Sequence, residues 1–241
     1  MLFKFIKKKI TLDVFTHRKE VLEFFTLDHT NKFIPNWFKK TPISLNYESP
    51  YYPSPTLKGC YGINELFKKG FTIPLWSDLA IRINSKEGEI QYQFSDKVSS
   101  IEFHNVEQWK YYANPEKNVH FKIISPWAIT EKTGVKFLAV EFAWDAPLYN
   151  YKISQGVLNF KEVNSTHING FFSLKEDIDL LLPAKKPLIH YIPLSDKNLS
   201  LKYHLVSLKK FKEIERPNSH YFINRIVKNK KCPFKKYTKN T

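Results

Sequence analysis

Glycine is scarce in this chain, with 7 among 241 residues, and cysteine (2) and methionine (1) are scarcer still. No glycine-rich loop that cradles phosphates is present, and no serine or cysteine sits in a strained strand-to-helix elbow. Cys60 and Cys232 are the only thiols, which excludes a disulfide scaffold and a cysteine-built zinc set. Arginine is confined to Arg18, Arg82, Arg216 and Arg225. The positive charge is therefore mostly lysine, which supplies point charges rather than the bidentate fork used to read bases or phosphates. No apolar run approaches the roughly 20 residues that span a bilayer. The opening Met1-Leu-Phe-Lys-Phe-Ile-Lys-Lys-Lys9 lacks the apolar core and cleavage site of a signal peptide. The expectation is a protein with no membrane span, not secreted by a signal peptide.

What is abundant is aromatic and stiff: 20 Phe, 13 Tyr, 5 Trp and 14 Pro, with 42% apolar residues overall. That composition suits one packed core with irregular connections. The net charge of +15 is unevenly placed. Thirteen of the 38 basic residues lie from Lys197 onward, against only Glu213 and Glu215 among the 23 acidic ones, so the body is close to neutral. Such a tail is either a solvated lysine-rich extension or a contact for an anionic partner.

Along the chain the dominant period is two. Ile10, Leu12 and Val14 alternate with polar residues as a first strand. Leu79, Ile81 and Ile83, a turn at Ser85–Gly88, and Ile90, Tyr92 and Phe94 predict a hairpin. Further strands are expected over 119–124, 127–130, 135–142, 153–160, 170–174 and 188–193, with Lys132-Thr-Gly134 as a turn. Pro126, Pro147, Pro187 and Pro193 should mark strand ends, because proline cannot donate to a central ladder. Residues 20–25 are ambiguous between helix and strand, and 33–42 read as a short turn or helical piece. Residues 44–56, with three prolines, predict an extended loop. Gly62 to Gly70 reads as a short helix stopped by Gly70. Residues 205–214 and 219–230 look helical, separated by Pro217. The fold class expected is mainly β (α+β): a single β-sandwich or jelly-roll-like domain over 1–204, with a basic helical C-terminal extension over 205–241.

The ordered series Asn36-Trp-Phe-Lys-Lys40, Cys60 with Gly62-Ile-Asn-Glu-Leu-Phe67, Gly70-Phe-Thr-Ile-Pro-Leu-Trp-Ser-Asp78, His104 with Gln108, Lys122-Ile-Ile-Ser-Pro-Trp127, Thr133-Gly-Val-Lys-Phe-Leu138, Gly156-Val-Leu-Asn159 and Pro187 to Pro193 resembles a protein family of tailed phages, marine ones in particular. It is distantly similar to a bacterial domain of unknown function. The likeness covers about residues 30 to 215. It implies a viral setting, in the host cytoplasm or the virion, with a virion or host protein as a possible partner. It implies no activity.

Trp76, Asp78, His104, Gln108, Trp127 and His190 are the candidate ligand-binding residues, expected along a rim marked by proline and tryptophan. Aromatic walls with a few polar groups suit a small ligand, a carbohydrate or a protein surface. Tryptophans in a β domain are also ordinary core residues. Asp78, after the Pro74-Leu-Trp-Ser77 bend, and Asp145, after Trp144, offer two carboxylates for hydrolysis at a separation the sequence does not give. An iron-dependent oxygenase would take His104 and His190 as Fe(II) ligands. Against it, Glu107 is three residues from His104 and falls on the opposite strand face, and Glu102 precedes the histidine. The apo, cofactor-free reading is the simpler. A nucleophilic triad has His104, His120, His167 and His190 available but no nucleophile. Cys60, ahead of a short helix, is either a thiol activated by the helix N-terminus or inert. In the tail, Arg225, Lys228, Lys230, Lys231, Lys235 and Lys236 with Phe234 and Tyr237 would suit single-stranded nucleic acid. A docked amphipathic helix explains the same residues.

Overall fold

The computed structural model describes residues 9–45, 54–144 and 151–215. The first strands are β1 (Ile10–Thr16), β2 (Asp28–His29), β3 (Ser44–Leu45), β4 (Ser54–Pro55), β5 (Phe71–Pro74) and β6 (Leu79–Asn84). β7 (Glu89–Phe94), β8 (Ile101–Phe103), β9 (Asn118–Ile123), β10 (Ala128–Glu131), β11 (Lys136–Glu141) and β12 (Tyr151–Ile153) follow. The last are β13 (Gly156–Asn159), β14 (Ile168–Ser173), β15 (Ile178–Leu182), β16 (Pro187–Pro193) and β17 (Leu199–Leu205). The helices are short: α1 (Lys19–Phe24), α2 (Asn36–Lys40), α3 (Tyr61–Lys68) and α4 (Leu208–Ile214). The protein is mainly β, and among the described residues no helix is long and apolar enough to cross a membrane.

The strands form a five-stranded sheet in the order β13-β11-β16-β5-β2 and a four-stranded sheet β12-β14-β9-β8. Two three-stranded sheets, β10-β1-β17 and β15-β6-β7, and the β3-β4 pair complete the set. Pairing is antiparallel except between β1 and β17, which run parallel with Ile10 opposite Leu199 and Thr16 opposite Leu205. β1 buries Ile10, Leu12, Val14 and Thr16 on one face, as its period of two requires. The main core draws Leu12, Phe71 with Tyr191, Ile81 and Phe121 from four of these sheets, and takes Trp76 and Trp127 from the connections between strands. A second, smaller cluster joins Phe38 of α2, Ile63 and Phe67 of α3, and Phe142. An eight-residue helix is below the roughly 12–15 residues that hold in isolation, so α3 depends on that packing.

The predicted hairpin is β6 and β7, and 20–25 resolves as helix α1. Three expectations change. Residues 132–134 do turn the chain, but β10 and β11 join different sheets. The buried Glu131 carboxylate collects the N–H groups of Thr133 (2.8 Å), Gly134 (2.6 Å) and Val135 (3.2 Å), steering the chain from one sheet to the next. The single strand expected at 153–160 is two, β12 and β13, again in different sheets. β8, β15 and β17 were not anticipated from periodicity. Pro187 and Pro193 do stand at the two ends of the central β16. Helix α4 falls within 205–214, its Ser207 side chain accepting from the Lys210 N–H. The helix expected at 219–230, and the tail residues Arg225 to Lys236, lie outside the described residues.

A polar clamp fixes the β7–β8 connection. Arg18, only 8% exposed, bonds Asp96 at 3.0 Å and the Ser99 hydroxyl at 3.0 Å. Ser99 in turn accepts the Trp76 indole N–H at 2.8 Å. Burial works against ionised Asp96, but the Ser99 and Val98 N–H groups, the Ser99 hydroxyl and Arg18 outweigh it and hold the carboxyl at about 2.

Gly70 sets the junction between α3 and β5. Its φ is +80°, and a Cβ there would lie 2.0 Å from the Tyr191 carbonyl oxygen of β16. Both the backbone conformation and the space require glycine. Gly70→Ala is expected to destabilise the fold by at least about 2 kcal/mol in chemical denaturation. An alanine variant as stable as the parent would refute this close approach.

Candidate functional site

Residues of the five-stranded and four-stranded sheets together line a cleft of about 490 Å³. One wall is Ala139 of β11, Gly156 to Leu158 of β13, and Ile189 and Tyr191 of β16. The other is Lys122 of β9, Asn169 of β14, and His104 and His167 just outside β8 and β14. Ser154 and Gln155, in the link that carries the chain from β12 to β13, close one side. Ala139 pairs with both Gly156 and Tyr191, so the two small residues put little side chain over the tyrosine face of the sheet.

A buried polar segment holds the second wall. Asn164-Ser-Thr-His167 reads as a surface loop, yet Asn164, Ser165 and Thr166 are all buried. Asn164 donates its amide to the Ile129 and Phe160 carbonyls at 2.9 and 2.8 Å. The Thr166 hydroxyl donates to the Trp127 carbonyl at 2.8 Å and takes the Ser125 hydroxyl at the same distance. The Ser125 N–H then donates to His167 Nδ1 at 3.2 Å. In the neutral ring the proton must therefore sit on Nε2, which lies 3.5 Å from Glu215 at the end of α4.

Charge around the cleft is tied up or suppressed. Lys122 is paired with Glu102. Burial, with Lys122 adding to it and Glu102 opposing, pushes His167 down to about 4. At neutral pH the His167 ring is thus neutral, and its contact with Glu215 is not an ion pair. Burial also raises Glu215 above the usual carboxylate range, against Lys122 and Lys212. His104 is lowered by burial and by Lys122, with Glu102 and a bond to Gln108 opposing. Next to it, 4.4 Å between ring centroids, His120 is held at about 4 by burial and by His104.

Two polar atoms of residues lining this cleft have no partner among the described residues: Asn169 Oδ1 and the Tyr191 hydroxyl. Both are fully buried. Tyr191 stacks on Phe71 at 4.9 Å, and its phenol is pushed upward by burial.

The candidates from the sequence are scattered by this geometry. Of the six, only His104 lines the cleft, with Gln108 exposed beside it on the 3-10 turn Val106–Gln108. Trp76 (1% exposed) and Trp127 (0%) are core side chains, not a rim. Asp78 is exposed at a turn, capping the Ala184 N–H at 2.7 Å. His190 alternates to the face of β16 opposite Tyr191, where its Nε2 lies 2.7 Å from the Lys69 carbonyl oxygen and its ring faces Phe142. His104 and His190 are therefore not brought together. Among the described residues no group of three or more His, Cys, Asp or Glu side chains is placed to hold a metal ion. Cys60 is an exposed free thiol at the N-cap of α3. Asp145 lies outside the described residues, so the paired-carboxylate idea gains no geometry.

Sequence reasoning missed Lys122, His167, Asn169 and Tyr191 as a group. The one available signal was the Asn-Ser-Thr-His run, four polar residues where the flanking strands demand burial. Comparison of the chain with protein-family models, with curated proteins and with solved structures finds no match in any of the three.

His120 and His167 bind fewer protons folded than unfolded between their lowered values of about 4 and the ordinary 6.5. Stability should be full above pH 6.5 and fall as the pH drops through that window. Replacing His167 by Gln, which stays neutral, should flatten part of the slope in denaturation measured from pH 4 to 7. An unchanged slope, together with a directly titrated His167 near 6.5, would contradict the burial argument.

Proposed function

We propose that this protein binds a small polar molecule in the cleft between the two sheets. The observation that carries the reading is the pair of partnerless buried atoms, Asn169 Oδ1 and the Tyr191 hydroxyl. Buried polar atoms are hydrogen-bonded in the large majority of cases, and each one left without a partner costs about 1–3 kcal/mol. Neither atom is open to the cleft at rest, so a ligand that shifts the covering side chains and meets them recovers that cost. Binding rather than catalysis is supported by His167, whose two ring nitrogens already face Ser125 and Glu215 and leave no free base.

A finer architecture goes with this reading: a β-sandwich or jelly-roll wrap of facing sheets, with a basic helical C-terminal extension. The resemblance to the tailed-phage family supports an accessory role in the infected cell or the virion.

The test is an amide NMR titration of the full chain with a library of neutral, anionic and cationic small molecules. Hits should move the Gly156, Asn169 and Tyr191 amides together. Tyr191→Phe removes a hydroxyl with no partner, so its stability should match or exceed that of the parent, while affinity falls about 3- to 10-fold. Hits that move only other regions would defeat the proposal. So would a phenylalanine variant that is clearly less stable yet binds as before.

A further inference from the structure

We infer that the occupant of the cleft is a neutral, hydroxyl-rich ring, of the pyranose saccharide class; this rests on the reading of the cleft as a ligand site. The first argument is charge. Among the described residues, Lys122 is the one formally charged side chain on the cleft wall, and Glu102 already holds it. His104 and His167 are kept toward their neutral forms by burial and by that same lysine. An anionic ligand would find no uncommitted positive group and would stand near the carboxylates of Glu102 and Glu215. A cationic one would have to displace Lys122 from its partner.

The second argument is hydrogen-bonding capacity. The uncharged groups on the cleft wall are the side chains of Ser154, Gln155 and Ser165, with Asn169 Oδ1 and the Tyr191 hydroxyl buried behind the wall. This mixture of neutral donors and acceptors matches hydroxyls, which both give and take. The third is the apolar remainder. Val157, Leu158 and Ile189 present hydrocarbon on the same cleft, suited to the C–H face of a sugar ring. The volume of about 490 Å³ lies within the range of small-molecule sites.

Gly156 gives the means of blocking it. The residue pairs with Ala139, so a side chain there would point to the cleft side of the sheet, and a Cβ would meet nothing within 4 Å. Gly156→Phe should therefore fill the cleft without disturbing the fold.

The experiment titrates the full chain, parent and Gly156→Phe, with methyl glycosides of glucose, galactose, mannose and N-acetylglucosamine, beside glucuronate, glucosamine and glucose 6-phosphate. Amide NMR reads the site, and melting temperature checks the fold. The expected result is that at least one neutral glycoside moves the Gly156, Asn169 and Tyr191 amides. Its affinity should fall at least tenfold in Gly156→Phe at unchanged melting temperature, and its charged counterparts should bind at least fivefold more weakly. Charged sugars that bind as well as the neutral ones would overturn the neutral-ligand inference and leave the cleft as a site. If no glycoside binds but another compound moves those same amides, the saccharide class is wrong and the cleft reading stands. If neither these sugars nor the wider library moves them, both fall.

Discussion

The molecule hangs on a backbone contact one residue thick, where Gly70 meets the carbonyl of Tyr191. The contact seats β5 against β16, and both faces of β16 inherit their positions from it. On one face Phe71, the next residue, stacks on the Tyr191 ring and places it beside the cleft. On the other, the Lys69 carbonyl meets the His190 ring, and the Gly70 carbonyl takes the Thr30 N–H at 3.2 Å. A single residue without a side chain thus aligns the core, the cleft wall and the small cluster under α3.

Around that junction, polar groups do work that apolar packing does not do here. Arg18 with Asp96 and Ser99, Glu131 with three successive amides, and Asn164 and Thr166 with main-chain carbonyls each satisfy segments that leave one sheet for another. Each group is bonded several times over, and that is the condition under which buried polarity specifies a fold instead of weakening it. Among the described residues, buried side-chain atoms of His17, His120, Trp127, Asn169 and Tyr191 lack partners, and of these Asn169 and Tyr191 are the ones that belong to the cleft.

Periodicity made the β class, the β6–β7 hairpin, the first strand and the proline-bounded β16 legible, because each is a local pattern of alternating burial. Trp76 and Trp127 were misjudged as rim residues. Proline next to an indole marks a strand end, but the end of a strand can still point inward, and both rings do. The cleft itself was not legible. Lys122, His167, Asn169 and Tyr191 come from segments whose adjacency is set by register between strands, and alternation within one strand carries no information about its neighbour's register. His104 was found for its type and place, and its assumed companion His190 was lost to the same alternation: one step along β16 reverses the face.

The parallel pairing of β1 with β17 has a consequence for how the polypeptide matures. β1 finds one lateral neighbour, β10, only once residue 128 has been made, and its other, β17, only after residue 199. Until then an apolar edge that ends up wholly enclosed stays open to solvent and to other chains. Assembly dominated by such distant contacts is slow, and strand edges left unpaired while it proceeds are the ones exposed to aggregation.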